Sequence, residues 1–167
     1  TATTKVIDDI QENLKFKKPN LIRSKFYRDN ISYVVNNVHD KKSKLLKLLE
    51  KIKSSVIIYV STRKESKEIN QFLLSYNYSS DFYNAGLNHM ERIKKQRKWM
   101  NNETRIMVAT NAFGMGINKS DIKLVVHMQI PINIESYFQQ VGRAGRNGKQ
   151  AYSFLLANKN DIEREQK

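Results

Sequence analysis

Short runs of β-branched and aliphatic residues alternate along this chain with stretches of helical periodicity. That alternation limits the fold more than any other feature. The apolar runs are ISYVVN (31–36), SVIIYV (55–60), SDFYNA (80–85), RIMVAT (105–110), KLVVHM (123–128) and AYSFLL (151–156). Between them, apolar residues recur at helical spacing: Leu45, Leu48, Leu49 and Ile52; Ile69, Phe72, Leu73 and Tyr76; Ile93, Trp99 and Met100; Ile134, Tyr137, Phe138 and Val141. Thr62 before Glu65 and Asn88 before Glu91 carry the spacing of a capping box, so a helix is expected to begin at each. Strands that alternate with helices, and are apolar on both faces, imply a mainly parallel sheet covered by helices on both sides. The expected class is therefore α/β and doubly wound. Residues 1–30 differ: Ile7, Ile10 and Leu14 suggest a lead-in helix, followed by a basic linker. The division expected is 1–30 as lead-in and linker and 31–167 as the α/β lobe, with no internal repeat.

In such sheets ligands bind at the carboxyl ends of the strands, on the loops that follow. Four loops are candidates: STRK, NAGLNH, TNAFGMGIN and QQVGRAGRNG, the last of which follows a helix. The chain carries 30 Lys+Arg against 16 Asp+Glu, a formal net charge of +14. That surplus suits a polyanion, although a Lys- and Asn-rich composition alone would also produce it. There are no cysteines, which excludes disulfides and cysteine-ligated metal within this chain and fits an intracellular setting. His39, His89 and His127 lack metal-ligand spacing, and no metal site is expected. No apolar run reaches membrane-spanning length. The first residue is Thr1 rather than Met, as in an excised piece of a longer chain.

GRAGRNGKQ is not a phosphate-binding P-loop. Five residues, not four, separate Gly142 from Gly148, and Gln150 stands where a magnesium-holding Ser or Thr belongs. FGMGINK lacks the third glycine of a dinucleotide fingerprint, and no Asp-Glu pair occurs. The parts that bind a triphosphate and magnesium by themselves are absent from the sequence. Arg143 and Arg146 remain, three apart, each a permanent positive fork. They read either as arginines offered to a phosphate held by another part of a protein or as a solvated Gly-Arg turn. Thr110, Asn111, Gly114 and Gly116 suit an anion through hydroxyl, amide and close backbone, or simply form a surface loop around Phe113 and Met115. Ser61, Thr62 and Arg63 stand at a helix start, where phosphate is favoured, though Thr62 is also a plain cap. Gly86 and Asn88 suit a phosphate backbone, or Gly86 merely ends a strand.

In order, these motifs resemble the second RecA-like lobe of a superfamily 2 helicase, most closely of the RecQ type. VATNAFGMGINKSDIKLVVHMQIPINIESYFQQVGRAGRNG resembles the family's motifs V and VI and their link, IIYVSTRKESKEINQFL its motif IV, and KFYRDNISYVV the approach to the lobe. The opening TAT resembles the end of motif III. The resemblance implies an ATP-driven motor moving 3′ to 5′ on single-stranded or forked DNA, with roles in DNA repair and recombination. ATP with Mg2+ would be held mainly by a first lobe of the same parent chain, so this part alone would be inactive. By position, Arg146 would be the arginine finger and Arg143 a second phosphate contact. Gln139, Gly116 and Asn118 would lie near the nucleotide. Ser61, Thr62, Arg63, Gly86, Asn88, Thr110 and Asn111 would follow the DNA. Such a protein is expected inside the cell, in the cytoplasm or nucleoid if bacterial. Asn84, Gln129, Ile132 and Asn147 depart from the family's usual residues. The alternatives are a non-catalytic nucleic-acid-binding module and an RNA helicase lobe.

Overall fold

In a computed structural model, residues 4–18, 21–22, 27–114, 116–158 and 161 are described. The opening TAT, parts of the expected linker (19–20 and 23–26), Met115, and residues 159–160 and 162–167 lie outside them. The lead-in helix is α1 (Thr4–Asn13). The strands are β1 (Ile31–Asn37), β2 (Ser55–Tyr59), β3 (Ser80–Tyr83), β4 (Ile106–Ala109), β5 (Ile122–His127) and β6 (Ala151–Ala157). The remaining helices are α2 (Lys41–Lys51), α3 (Arg63–Ser75), α4 (His89–Met100) and α5 (Ile134–Val141). Each expected strand forms within a residue or two of its expected bounds.

The strands make one sheet in the order β1-β6-β5-β2-β4-β3, with every pairing parallel. Alternate side chains divide between two cores, as the pleat requires. Ile57, Tyr59, Met107, Ala109 and Val125 face a core that holds Trp99 of α4 and Val141 of α5. Val56, Ile58, Ile106, Val108, Leu124 and Val126 face the other, with Leu45, Leu48 and Leu49 of α2 and Ile69 and Leu73 of α3. Helices thus cover both faces, as a doubly wound, RecA-like α/β fold requires.

Thr62 and Asn88 close full capping boxes with Glu65 and Glu91. Three residues assigned to apolar stripes lie outside the cores: Tyr76, Ile93 and Ile134 are exposed. Tyr76 is the C-cap of α3, three residues past the buried Leu73. Ile134 opens α5, just past the strand ends. In α4 only Trp99 is fully enclosed, because that helix covers the β3–β4 edge of the sheet.

The topology fixes where a crevice opens. From β2 the chain passes through α3 to β3 on one side, and from β5 through α5 to β6 on the other. The direction of winding reverses between β2 and β5, the place where open α/β sheets leave a crevice at their carboxyl edge. A cavity of about 280 Å³ lies there, lined by Tyr59, the last residue of β2, and Ser61 beyond it, by His127, the last residue of β5, and Gln129 beyond it, and by Asn111 and Gln140.

Candidate functional site

The expected site residues fall into two groups at opposite edges of the sheet. Ser61, Thr62 and Arg63 follow β2, Gly86 and Asn88 follow β3, and Thr110 and Asn111 follow β4, all at the carboxyl edge. Most are exposed, and Thr110 is half-buried. The first two loops touch: a Cβ on Gly86 would sit 3.3 Å from the Arg63 side chain. The β4 loop joins them through the Thr110 amide, which donates to the carbonyl of Tyr83.

The arginine loop is elsewhere, and this corrects the expectation of four loops at one edge. Helix α5 carries the chain back across the sheet before β6 can begin, as any parallel crossover must. The loop therefore abuts the amino ends of the strands. Gly145 N–H donates to the carbonyl of Ile122, the first residue of β5, and Ala151 N–H to that of Asn30, just ahead of β1.

Residues 110–114 and 116–118 lie between the two edges, and three side chains from the end of α5 and the loop after it bind them in register. Gln140 donates to Asn111 Oδ1 at 2.9 Å, Arg143 to the carbonyl of Gly114, and Arg146 to that of Ile117 at 2.8 Å. Each rung has the same sequence offset, 29 residues. Gln140 lies in the last turn of α5 and the two arginines in the turns that follow it; opposite them the backbone also turns, with Phe113 N–H donating to the Thr110 carbonyl and Ile117 N–H to that of Gly114. Gly114 makes the approach possible: its φ is +126°, and a Cβ there would fall inside the Arg143 guanidinium.

The two arginines do not play the same part. Arg143 is buried, only 6% exposed, beneath Gly114 and against the Tyr59 hydroxyl. Burial pushes the Tyr59 hydroxyl up to about 12, and the neighbouring Arg143 charge opposes that shift. Arg146 is exposed and held by Ile117 and by Asn118 Oδ1, at 3.1 Å. Asn118 and Gly116 are exposed beside it, and Gln139 is exposed on α5. Burial lowers the Arg146 guanidinium below its usual range, followed by repulsion from Arg143 and from Arg28. Among the described residues, no carboxylate pairs with any of these three arginines. Three fixed charges converge with no internal counter-ion, so the chemistry this corner accommodates is that of an anion.

Four positions that shape these two groups escaped sequence reasoning. Arg28 and Asn30, assigned to the linker, bind carbonyls of the arginine loop. His127 and Gln140 form a buried relay to Asn111. With Gln140 Nε2 donating to Asn111, its Oε1 accepts from His127 Nε2 at 2.7 Å, which places the ring proton on Nε2. Nδ1 is then a buried acceptor without a partner among the described residues. No local signal marks such contacts, because each partner is more than ten residues away. Two family departures turn inward as well. Asn84 bridges Ser66 Oγ and the Gly86 amide, and Gln129 accepts from the Ser61 amide while donating to Glu65.

His127 carries a testable consequence. Burial lowers its pKa to about 4, partly offset by the bond to Gln140. Unfolded, it titrates near the ordinary histidine value of 6.5. Below that pH the unfolded chain binds the extra proton, so His127 costs nothing above pH 6.5 and progressively more as pH falls to about 4. The expected loss reaches about 3 kcal/mol. Urea midpoints measured from pH 7 to pH 4 should fall less steeply for His127→Leu than for the native chain. Equal slopes would mean that the ring is protonated or solvated in the fold.

The chain matches the helicase conserved C-terminal domain family over residues 40–148, well over half its length. It is 37% identical over 166 residues to the RecQ-like DNA helicase blm-1 of Caenorhabditis elegans, covering 96% of this chain and 17% of that protein. To the ATP-dependent DNA helicase RecQ of Bacillus subtilis it is 38% identical over 163 residues, covering 97% and 28%. R290 of Acanthamoeba polyphaga mimivirus, named provisionally as an ATP-dependent RNA helicase, is 37% identical over 97% of the chain and 30% of its own length. The chain thus spans less than a third of each of these relatives. Among the described residues, no helix is long and apolar enough to cross a membrane. The chain belongs to the RecQ-like helicases, as their C-terminal, RecA-like lobe.

Proposed function

We propose that this lobe is half of an ATP-dependent DNA motor. Its carboxyl edge grips single-stranded or forked DNA, and its arginine loop meets the phosphates of ATP held mainly by a first lobe of the same parent chain. The observation that carries the reading is the convergence of Arg28, Arg143 and Arg146 without a carboxylate partner among the described residues. Arg146, exposed beside Asn118, is the finger. Arg143 supports it from below and becomes a phosphate contact only if it leaves Gly114. Gln139, Gly116 and Asn118 border the same nucleotide face. Ser61, Thr62, Arg63, Gly86, Asn88, Thr110 and Asn111 follow the strand's backbone. The donor set fits a polyphosphate but not its magnesium: among the described residues, no group of three His, Cys, Asp or Glu could hold a metal ion. The 3′ to 5′ direction rests on family resemblance alone.

From this division of labour, the 167 residues alone should bind single-stranded DNA weakly and lose that binding steeply with salt. They should hydrolyse no ATP. A phosphate-release assay on the purified lobe, with and without DNA, checks this; turnover that co-purifies with the lobe would sink the half-site argument. In the full-length parent, ATP turnover with strand separation supports the motor. DNA binding without turnover would instead make the protein a non-catalytic binding module. The mimivirus relative's name favours one further arm, in which RNA and DNA strands compete for the same edge.

A further inference from the structure

Arg28 and Asn30 lie just ahead of β1 and turn their side chains into the arginine loop. Arg28 Nη1 donates to the carbonyls of Gly142 and Ala144 at 3.1 and 3.0 Å, and Nη2 to that of Gly145 at 2.9 Å. Asn30 Nδ2 adds Gly145 and Lys149 carbonyls at 2.7 and 2.8 Å. The backbone locks the same corner, since Ala151 N–H donates to the Asn30 carbonyl. Tyr33 Oη accepts from the Arg28 amide at 3.2 Å.

The Arg28 guanidinium binds main-chain carbonyls, as Arg105 binds those of Leu49 and Ile52. A guanidinium fork commonly meets a carboxylate or phosphate, yet here it meets three backbone oxygens. Those oxygens lie just past the carboxyl end of α5, the negative end of that helix dipole. Without a cation their dipoles would repel one another and bring negative potential to the ground beneath Arg146. Gly145, at φ +61°, lets the loop close against the brace, for a Cβ there would sit 2.5 Å from Asn30 Nδ2. Lysine cannot replace the fork, because a single ammonium does not present two rigid arms to three oxygens.

We propose that Arg28 is a positioning residue for catalysis: it binds the carbonyls of the 142–145 turn, with Asn30 beside it, and so holds Arg146 where it meets the nucleotide. The proposal rests on the arginine-finger reading above. Arg28 itself touches no reacting atom.

The test uses the full-length parent chain carrying Arg28→Met or Arg28→Lys, each with and without Arg146→Ala. DNA-stimulated ATP turnover, DNA affinity and thermal midpoint are measured for each. Arg28→Met should lower kcat by about 10- to 100-fold through misplacement of the loop, with KM for DNA unchanged. Arg28→Lys should recover little of it. Added to Arg146→Ala, Arg28→Met should cause no further loss, because both act through one group. A loss that multiplies with that of Arg146→Ala would show a general structural effect and overturn the proposal. Native turnover in Arg28→Met, with Arg146→Ala collapsed, overturns it alone. Native turnover in Arg146→Ala removes the finger reading and the proposal together. Should Arg28→Met unfold, Asn30→Ala, which removes only the Gly145 and Lys149 bonds, must give the same non-additive pattern at smaller size.

Discussion

Arg146→Ala in the full-length parent chain is expected to lower DNA-stimulated ATP turnover by about 10³-fold or more, with DNA affinity unchanged. The size follows from where charge builds up. A transferring phosphoryl group gathers negative charge that water would otherwise solvate, and a fixed guanidinium in a cleft replaces that solvation without reorganising. Arg146 is suited to the task because it is exposed yet tethered to Ile117 and Asn118. Its environment already contains two like charges and no described carboxylate, so an incoming phosphate relieves repulsion as well as gaining attraction. The residues proposed to follow DNA lie at the other edge of the sheet, which is why affinity for the strand should survive. Single-turnover ATP hydrolysis and DNA titration on the same preparations decide the matter. If turnover persists, the nucleotide is met by another group. If DNA affinity collapses in parallel, the two edges are not separate sites.

Trp99→Ala should be the most damaging single change to the fold, at about 3–5 kcal/mol. Trp99 is wholly buried, stands edge-on to Phe113 with centroids 5.3 Å apart, and lies under the Lys119 ammonium at 5.4 Å. Phe113 in turn packs on Tyr83 at 4.7 Å. Truncation would leave a cavity beneath Phe113, the anchor of the segment that joins the two edges. The thermal midpoint should fall by about 10 °C. Trp99→Phe should cost much less, because the indole Nε1 has no hydrogen-bond partner among the described residues and little beyond ring volume is lost. Calorimetry on the two variants separates these outcomes. Equal losses would mean that the indole nitrogen matters after all.

The strands were legible because their residues face apolar cores on both sides of a parallel sheet, so every position in SVIIY is apolar or small and all five are buried. The helix starts were legible because a capping box is closed within four residues, as Thr62 with Glu65 and Asn88 with Glu91 show. The arginine loop drew attention because its glycines and arginines are local features. What each of them touches was not legible. Gly145 belongs to that loop, and its empty side meets Asn30 and Ala151 of its own lobe. Ile93 and Ile134 had the right spacing for a core and are exposed, since periodicity marks a face without saying whether anything covers it.

The sequence by itself determined the alternating elements, the phosphate-suited loops and the family, since these depend on neighbours or on ordered motifs. Only the tertiary structure decided that the loops divide between two edges, that Arg143 is buried while Arg146 is exposed, and that Arg28 braces the turn between them. Those facts depend on contacts between residues about 30 or more than 110 positions apart. Such contacts are set by how strands order themselves in a sheet, and no local pattern of residues encodes that order.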